Sequence, residues 1–208
     1  MKKNKISKNW INKQRRDIYV RQSKVEGYRS RAAYKLKEID EKFKILKNGI
    51  SVIDLGAAPG SWSQFISRKI KNGKILAIDI KEMEKVDNIF QIKGNFSDDK
   101  YKQDIREYFG KKVDVVLSDM AVNTTGNKDI DSIVTGELCI EALCFAKEIL
   151  KKNGQFIAKI FMGSTFNEIV ILAKKNFKEI NIFKPPASRK ESKESFIICK
   201  LLRDKVKK

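Results

Sequence analysis

Residues 52–62, Val-Ile-Asp-Leu-Gly-Ala-Ala-Pro-Gly-Ser-Trp, constrain this chain more than any other stretch. A β-branched apolar run ends in an acid, Asp54, breaks into a Gly-rich turn, and enters an amphipathic segment carrying Trp62, Phe65, Ile66 and Ile70. The order is strand, tight loop, helix. Gly56 and Gly60 let the backbone come close to a ligand, and the helix start offers free N–H groups. No Gly-Lys-Ser/Thr follows, so the loop is not a phosphate clamp of the P-loop kind. The spacing of the glycines and the presence of Pro59 also depart from the dinucleotide fingerprint. An acid ahead of such a turn suits a ligand that combines ribose hydroxyls with an amine. S-adenosylmethionine is such a ligand.

Strand-like runs recur at 51–55, 74–80, 90–93, 113–118, 155–161, 178–183 and 196–201. Helical patterns lie between most of them, at 62–70, 98–109, 132–151 and 165–175. This alternation predicts an α/β fold with a mostly parallel seven-stranded sheet and helices on both faces. The last two runs are joined by residues 184–193, which show no helical pattern, so a C-terminal antiparallel hairpin is expected. Ser30 is placed to cap a helix reaching Phe43, with Ala32, Leu36, Ile39 and Phe43 on one stripe. A length of 208 residues suits one sizeable domain, expected over 30–202, between a basic arm at 1–29 and a basic tail at 203–208.

Charge narrows the partner. The 45 Lys and Arg residues against 26 Asp and Glu leave a formal charge of +19, far beyond what solubility needs, which implies a polyanion. The excess is concentrated at the ends: residues 1–31 hold eleven basic groups against Asp17 and Glu26. The chain contains no histidine, which excludes a Ser-His-Asp triad and any histidine base. Cys139, Cys144 and Cys199 form no CxxC pair, so neither a structural zinc site nor a disulfide framework is indicated, and no metal is expected. With no apolar run of membrane-spanning length and no apolar segment after the basic N-terminus, a cytoplasmic protein without membrane contact is expected.

In open parallel sheets ligands bind beyond the carboxyl ends of the strands. There the chain places, in order, Asp54 with its loop, Asp79, Asn95 and Asp119. An acid at the position of Asp79 can accept both hydroxyls of an adenosine ribose, or simply form a turn. Asp119 follows the apolar run Val115-Val116-Leu117 and opens a long loop of small residues. Lys159 is the strongest anomaly, set inside Phe156-Ile157-Ala158-Lys159-Ile160-Phe161, which is apolar on both faces. Burial or a second cation lowers a lysine pKa, and without histidine such an amine is the best candidate base. Lys35 and Glu194 do not stand out among the many charged residues.

Taken together these segments resemble the FtsJ family of S-adenosylmethionine-dependent RNA 2′-O-ribose methyltransferases. The resemblance rests on five stretches in order: Tyr28-Arg-Ser-Arg-Ala-Ala-Tyr-Lys-Leu36, Asp54-Leu-Gly-Ala-Ala-Pro-Gly-Ser-Trp-Ser63, Leu117-Ser-Asp-Met-Ala121, Ala158-Lys-Ile160, and Lys184-Pro-Pro-Ala-Ser-Arg189 followed by Glu194. It covers about residues 25–202 and implies a Rossmann-like methyltransferase fold. It further implies a catalytic tetrad of Lys35, Asp119, Lys159 and Glu194, and cofactor contacts at Gly60, Trp62, Asp79, Asn95 and Asp119. Position 95 departs from the pattern, which has an acid there. The asparagine oxygen can still accept from an adenine amino group, so weaker cofactor binding is expected. Val122 stands where bacterial members commonly carry proline, which loosens the expectation for that loop.

The mechanism implied has Lys159 taking the proton of a ribose 2′-OH. Burial and Lys35 lower its pKa while Asp119 raises it, which leaves the alternatives of base and steering donor both open. The compact length, the basic arm and the 118–126 loop resemble the bacterial branch, which methylates a uridine ribose in the A-loop of large-subunit rRNA. A monomer acting on the large subunit or its rRNA is therefore expected. The 32–35 helix start and the Pro-Ala-Ser-Arg segment also occur in relatives acting on tRNA anticodon loops, so tRNA is the alternative substrate.

Overall fold

A computed structural model describes residues 16–121 and 128–204. Most of the basic arm, the 122–127 loop with Val122, and the last four residues of the tail lie outside the described residues. The chain runs α1 (Ile18–Val25), α2 (Ala32–Phe43), β1 (Ser51–Leu55), α3 (Ser61–Lys69), β2 (Lys74–Asp79) and β3 (Phe90–Lys93). It continues through α4 (Asp99–Phe109), β4 (Val113–Ser118), α5 (Lys128–Ile149), β5 (Leu150–Phe161), α6 (Phe166–Asn176), β6 (Phe177–Phe183) and β7 (Glu194–Leu202). The sheet order is β3-β2-β1-β4-β5-β7-β6. Strands β1 to β5 pair in parallel, while β7 runs antiparallel to both β5 and β6. The order reverses between β1 and β4, and a crevice opens at such a switch point beyond the strand ends.

Side-chain alternation along each strand builds two separate cores. Leu36 and Ile39 of α2 and Trp62, Phe65 and Ile66 of α3 pack on Val52, Ala77, Leu117, Ile157, Phe196 and Ile198. On the opposite face Ile105 of α4, Leu143 of α5 and Ile169 of α6 pack on Ile53, Ile78, Val116, Phe156, Ile160 and Ile197. Burying both faces of the central strands explains why their apolar runs are continuous rather than alternating.

Two expectations shift. The helix expected at Ser30 starts at Ala32, after Arg31; Ser30 Oγ accepts from the Ala32 amide at 3.2 Å but is also engaged with Ser61 Oγ at 2.8 Å. Strand β5 begins at Leu150, where Val113 pairs with Leu150 but Val115 pairs with Gln155, so residues 151–154 bulge between two paired positions. A Lys-Lys-Asn-Gly run reads locally as a loop, and the pairing to β4 of Leu150 before it and Gln155 after it sets it within the strand as a bulge. Within the segment read as a basic arm, residues 18–25 form α1. The Asp17 carboxylate caps it, accepting from the Tyr19 and Val20 amides, and Tyr19 packs against Tyr34 at 5.4 Å between ring centroids.

Candidate active site

Period-two alternation decides where the charged residues meet. In β5 Ile157 points to the core under α2 and α3, so Lys159, two residues on, points the same way. In β7 Phe196 faces that core, and so does Glu194. Antiparallel register brings the two together, with Lys159 opposite Phe196 and Phe161 opposite Glu194. Leu117 shares the face, so Asp119 emerges above it at the end of β4. Lys35 lies one turn before Ile39 on α2 and reaches over the ring of Phe196, 5.9 Å from its centroid.

The four residues form a continuous electrostatic chain, Asp119–Lys159–Glu194–Lys35. Lys159 Nζ lies 2.7 Å from Asp119 Oδ1 and donates to the Asp119 carbonyl oxygen at 3.1 Å. It lies 3.9 Å from Glu194 Oε2, and Glu194 pairs with Lys35 Nζ at 2.7 Å. Ser188 Oγ donates to Glu194 Oε1 at 2.8 Å. Two ammonium groups thus alternate with two carboxylates in a nearly dry setting, an arrangement in which each charge is matched. Burial works against a charged Lys159, but the Asp119 and Glu194 carboxylates outweigh it and raise its pKa above the ordinary lysine value. Burial likewise opposes the Asp119 carboxylate, and Lys159 with Lys35 overcomes it, holding Asp119 below the usual range. A ready-made neutral amine would need the opposite shift, so the free protein presents Lys159 as an ammonium donor.

Beside this chain, at the switch point, lies a cleft of about 390 Å³, within the range of roughly 300–1,000 Å³ usual for small-molecule sites. Asp79, Asn95 and Asp119 line it together with Gly56, Gly94, Phe96, Met120 and Leu138. Gly56, at a φ of 73°, leaves no room for a side chain: a Cβ there would stand 2.4 Å from Met120 Cγ. Asp79 Oδ2 accepts from the Ala58 amide at 3.0 Å and Oδ1 from the Lys81 amide at 2.7 Å, so it forms the turn and still holds free lone pairs. Asn95 Oδ1 accepts from the Ser97 amide at 3.2 Å, and its Nδ2 donates to Asp98 at 3.3 Å.

Gly60 and Trp62 are not among the lining residues. Gly60 caps α3 with a φ of 104°, and the Trp62 ring is buried against Phe196, its Nε1 donating to the Ala32 carbonyl at 2.9 Å. Beneath the cleft, Asp54 is fully buried; Ser63 Oγ donates to its Oδ2 at 2.7 Å while Oδ1 has no hydrogen-bond partner among the described residues. Burial, with Asp119 and Asp79 adding repulsion, pushes its pKa up to about 7 against the Ser63 bond. Carboxylates under and along the cleft, with apolar walls and glycines that admit close approach, fit a cationic nucleoside such as S-adenosylmethionine.

Several contributors carry no sequence signal of their own. Ser63 sits in the Gly-loop motif but its pairing with Asp54 does not follow from spacing, and Ser188 is one serine among many. Asp17 and Glu38 look like solvated acids. In the structure Asp17 pairs with Arg31, and Glu38 accepts from the Ala187 amide at 2.7 Å and from Tyr19 at 2.9 Å.

Comparison with known proteins places the chain among methyltransferases. The FtsJ-like methyltransferase family matches residues 28–202. The ribosomal RNA large subunit methyltransferase E of Pelagibacter ubique is 69% identical over 203 residues, covering 98% of this chain and all of that protein. The Rickettsia akari protein of the same description is 44% identical over 93% of this chain and 88% of its own length. Among solved structures, a Plasmodium falciparum protein provisionally described as a ribosomal RNA methyltransferase superposes with a TM-score of 0.75 at 34% identity, over 84% of this chain and 98% of its own. A Streptococcus mutans protein provisionally described as a methyltransferase, crystallised with SAH, shares the fold at a TM-score of 0.54 and 16% identity, over 80% of this chain and 97% of its own.

Proposed function

The chain belongs to the FtsJ-like methyltransferase family, and from that premise we propose that it transfers a methyl group from S-adenosylmethionine to a ribose 2′-OH of RNA, a uridine in the A-loop of 23S large-subunit rRNA. The observation that carries the reading is the adjacency of two sites that share Asp119: a carboxylate-lined cleft on one side and the Lys35–Glu194–Lys159 chain on the other. The names of the relatives support ribosomal RNA of the large subunit as the substrate, and the formal charge of +19 supports a polyanion. The SAH-bound neighbour of the same fold supports the cofactor class.

Asp79 and Asn95 would hold the nucleoside half of the cofactor, and Asp119 would face its positive end. The cofactor, when bound, supplies a methyl on a sulfonium that carries its own leaving group. What remains for the protein is alignment of a poor nucleophile. Lys159, charged and gripped by Asp119 and Glu194, donates to the 2′-oxygen and turns a lone pair toward the cleft. Glu194 attracts that ammonium from 3.9 Å, and Lys35, held by Glu194 at 2.7 Å, would present a second cation to the RNA phosphates. The hydroxyl proton is shed to solvent as the carbon–oxygen bond forms, when the oxygen becomes strongly acidic.

The test is methyl transfer from labelled S-adenosylmethionine to three substrates in parallel: large subunits from a strain lacking this protein, naked large-subunit rRNA, and bulk tRNA. Label at a ribose 2′-O on the subunits or their rRNA is the expected result. Label on tRNA alone moves the substrate to the anticodon-loop class, and label on none of them refutes the reading.

A further inference from the structure

Two arginines only two residues apart point their guanidinium groups into opposite halves of the site. Arg29 Nη1 donates to the Pro59 carbonyl at 2.9 Å and to the Glu84 carbonyl at 2.9 Å, while Nη2 donates to the Lys85 carbonyl at 3.0 Å. It thereby ties the Gly loop after β1 to the loop after β2, the two loops that flank Asp79. The fit is close: a Cβ on Gly60 would stand 2.3 Å from Arg29 Nη1. The Arg29 backbone is itself anchored, its amide donating to Gln64 Oε1 on α3 at 2.9 Å. Arg31 turns the other way. Its Nη1 pairs with the Asp17 carboxylate and its Nη2 donates to the Ala187 carbonyl, next to the Ser188 that bonds Glu194. Between the two, Ser30 Oγ meets Ser61 Oγ at the start of α3.

By composition both arginines fall in the basic N-terminal region, where contact with RNA phosphate is the simple expectation. Their side chains are only 16% and 15% exposed, and both guanidinium groups already donate to protein acceptors. We propose that Arg29 and Arg31 are positioning residues with separate roles: Arg29 sets the spacing of the methyl-donor cleft, and Arg31 seats the 184–193 loop that holds Glu194 against Lys35. The inference rests on the methyl-transfer reading above. A lysine keeps the charge at either position but replaces a planar fork with a single point donor, which cannot span carbonyls on two loops.

The experiment pairs Arg29→Lys with Arg31→Lys. It reads cofactor binding by calorimetry with S-adenosylmethionine and with S-adenosylhomocysteine, and steady-state methyl transfer to large subunits. Arg29→Lys is expected to weaken binding of both probes about tenfold, with kcat at saturating cofactor within about twofold of wild type. Arg31→Lys is expected to leave cofactor binding within about twofold and to lower kcat about tenfold. Asp17→Asn, which removes the anchor of Arg31 from the other side, should reproduce the kcat signature. Glu84→Ala should change neither quantity, because Arg29 bonds the Glu84 backbone, while that carboxylate stands 3.7 Å away and is 90% exposed. Thermal melts confirm folding, and Arg29→Gln, which keeps donors without the fork, replaces Arg29→Lys should the latter not fold. Variants that shift only the RNA KM and its salt dependence, with wild type active, would make these residues phosphate contacts and overturn the inference alone. A wild type that neither binds cofactor nor transfers methyl overturns the inference together with the reading beneath it.

Discussion

Asp119 holds Lys159 twice, through a carboxylate oxygen at 2.7 Å and through its own backbone carbonyl at 3.1 Å. The carbonyl takes one N–H group of Lys159 and the carboxylate answers its charge at ion-pair distance, while Glu194, at 3.9 Å, is too distant to accept a hydrogen bond. With its pKa raised by the two carboxylates, Lys159 is an ammonium at neutral pH and keeps an N–H donor for a substrate oxygen.

Methyl transfer should therefore be nearly independent of pH between about 7 and 9 and fall only as pH climbs past the raised Lys159 pKa, above the ordinary 10.5. A mechanism needing the neutral amine would instead gain about tenfold per pH unit over that range. Single-turnover rates at saturating cofactor distinguish the two slopes. Lys159→Ala should lower the rate by roughly 10²–10³-fold while leaving cofactor affinity within about threefold. Preserved turnover in that variant would remove Lys159 from the mechanism.

Glu194→Gln keeps the shape of the side chain and its bond from Ser188 but leaves two buried ammonium groups sharing one carboxylate. The loss of stability at neutral pH should be about 2–4 kcal/mol, read from urea denaturation. In the wild type the Asp119 part of this chain stabilises fully above its ordinary pKa of 3.8 and is lost as pH falls through the lowered value. The Lys159 part is whole below 10.5 and is lost as pH rises through the raised value.

Asp54 has the opposite sign to Asp119. Its folded-state pKa of about 7 exceeds the ordinary 3.8, so the folded chain holds this proton where the unfolded chain releases it. Stability falls as pH rises from about 4 to about 7 and is then level, by up to roughly 4 kcal/mol for this one group. Asparagine mimics the protonated acid and can still accept from Ser63. The stability difference between Asp54→Asn and wild type should move in favour of the variant between pH values of about 4.5 and 8. Parallel denaturation curves at both pH values would show that Asp54 does not titrate in this range.

Reversing the Lys and Arg residues of 1–16 to Glu should weaken RNA binding and flatten its salt dependence, by a slope of about 0.7–0.9 for each phosphate that the arm no longer neutralises. Filter binding across a salt series measures this. Cofactor affinity should be unchanged, and equal RNA binding by the reversed arm would exclude it from the interface.

How far the sequence foretells the structure differs between elements for identifiable reasons. The β1 turn is legible because its chemistry is local: an acid, two glycines and an amphipathic start lie close together in the chain. The parallel sheet follows from apolar runs alternating with helical periods, since strands covered on both faces carry no polar alternation. Lys159 stands out for the same reason, as a charge inside such a run. Lys35 and Glu194 do not, and only resemblance singles them out, because a charged residue on a helix or at a strand start looks the same whether solvated or paired.

From its order of residues alone this chain determined its strand and helix sequence, its charge, and the turn at which a nucleoside could be held, all properties set within one or two turns of backbone. Tertiary structure decided what depends on register between distant strands. The β5–β7 pairing brings Glu194 near Lys159, the register of β5 against β4 sets residues 151–154 within a strand as a bulge, and the packing of α1 on α2 takes Asp17 and Arg31 out of solvent. It also reversed the sign that burial alone gives Lys159, because desolvation acts on one residue whereas the compensating carboxylates arrive from beyond the end of β4 and from the start of β7.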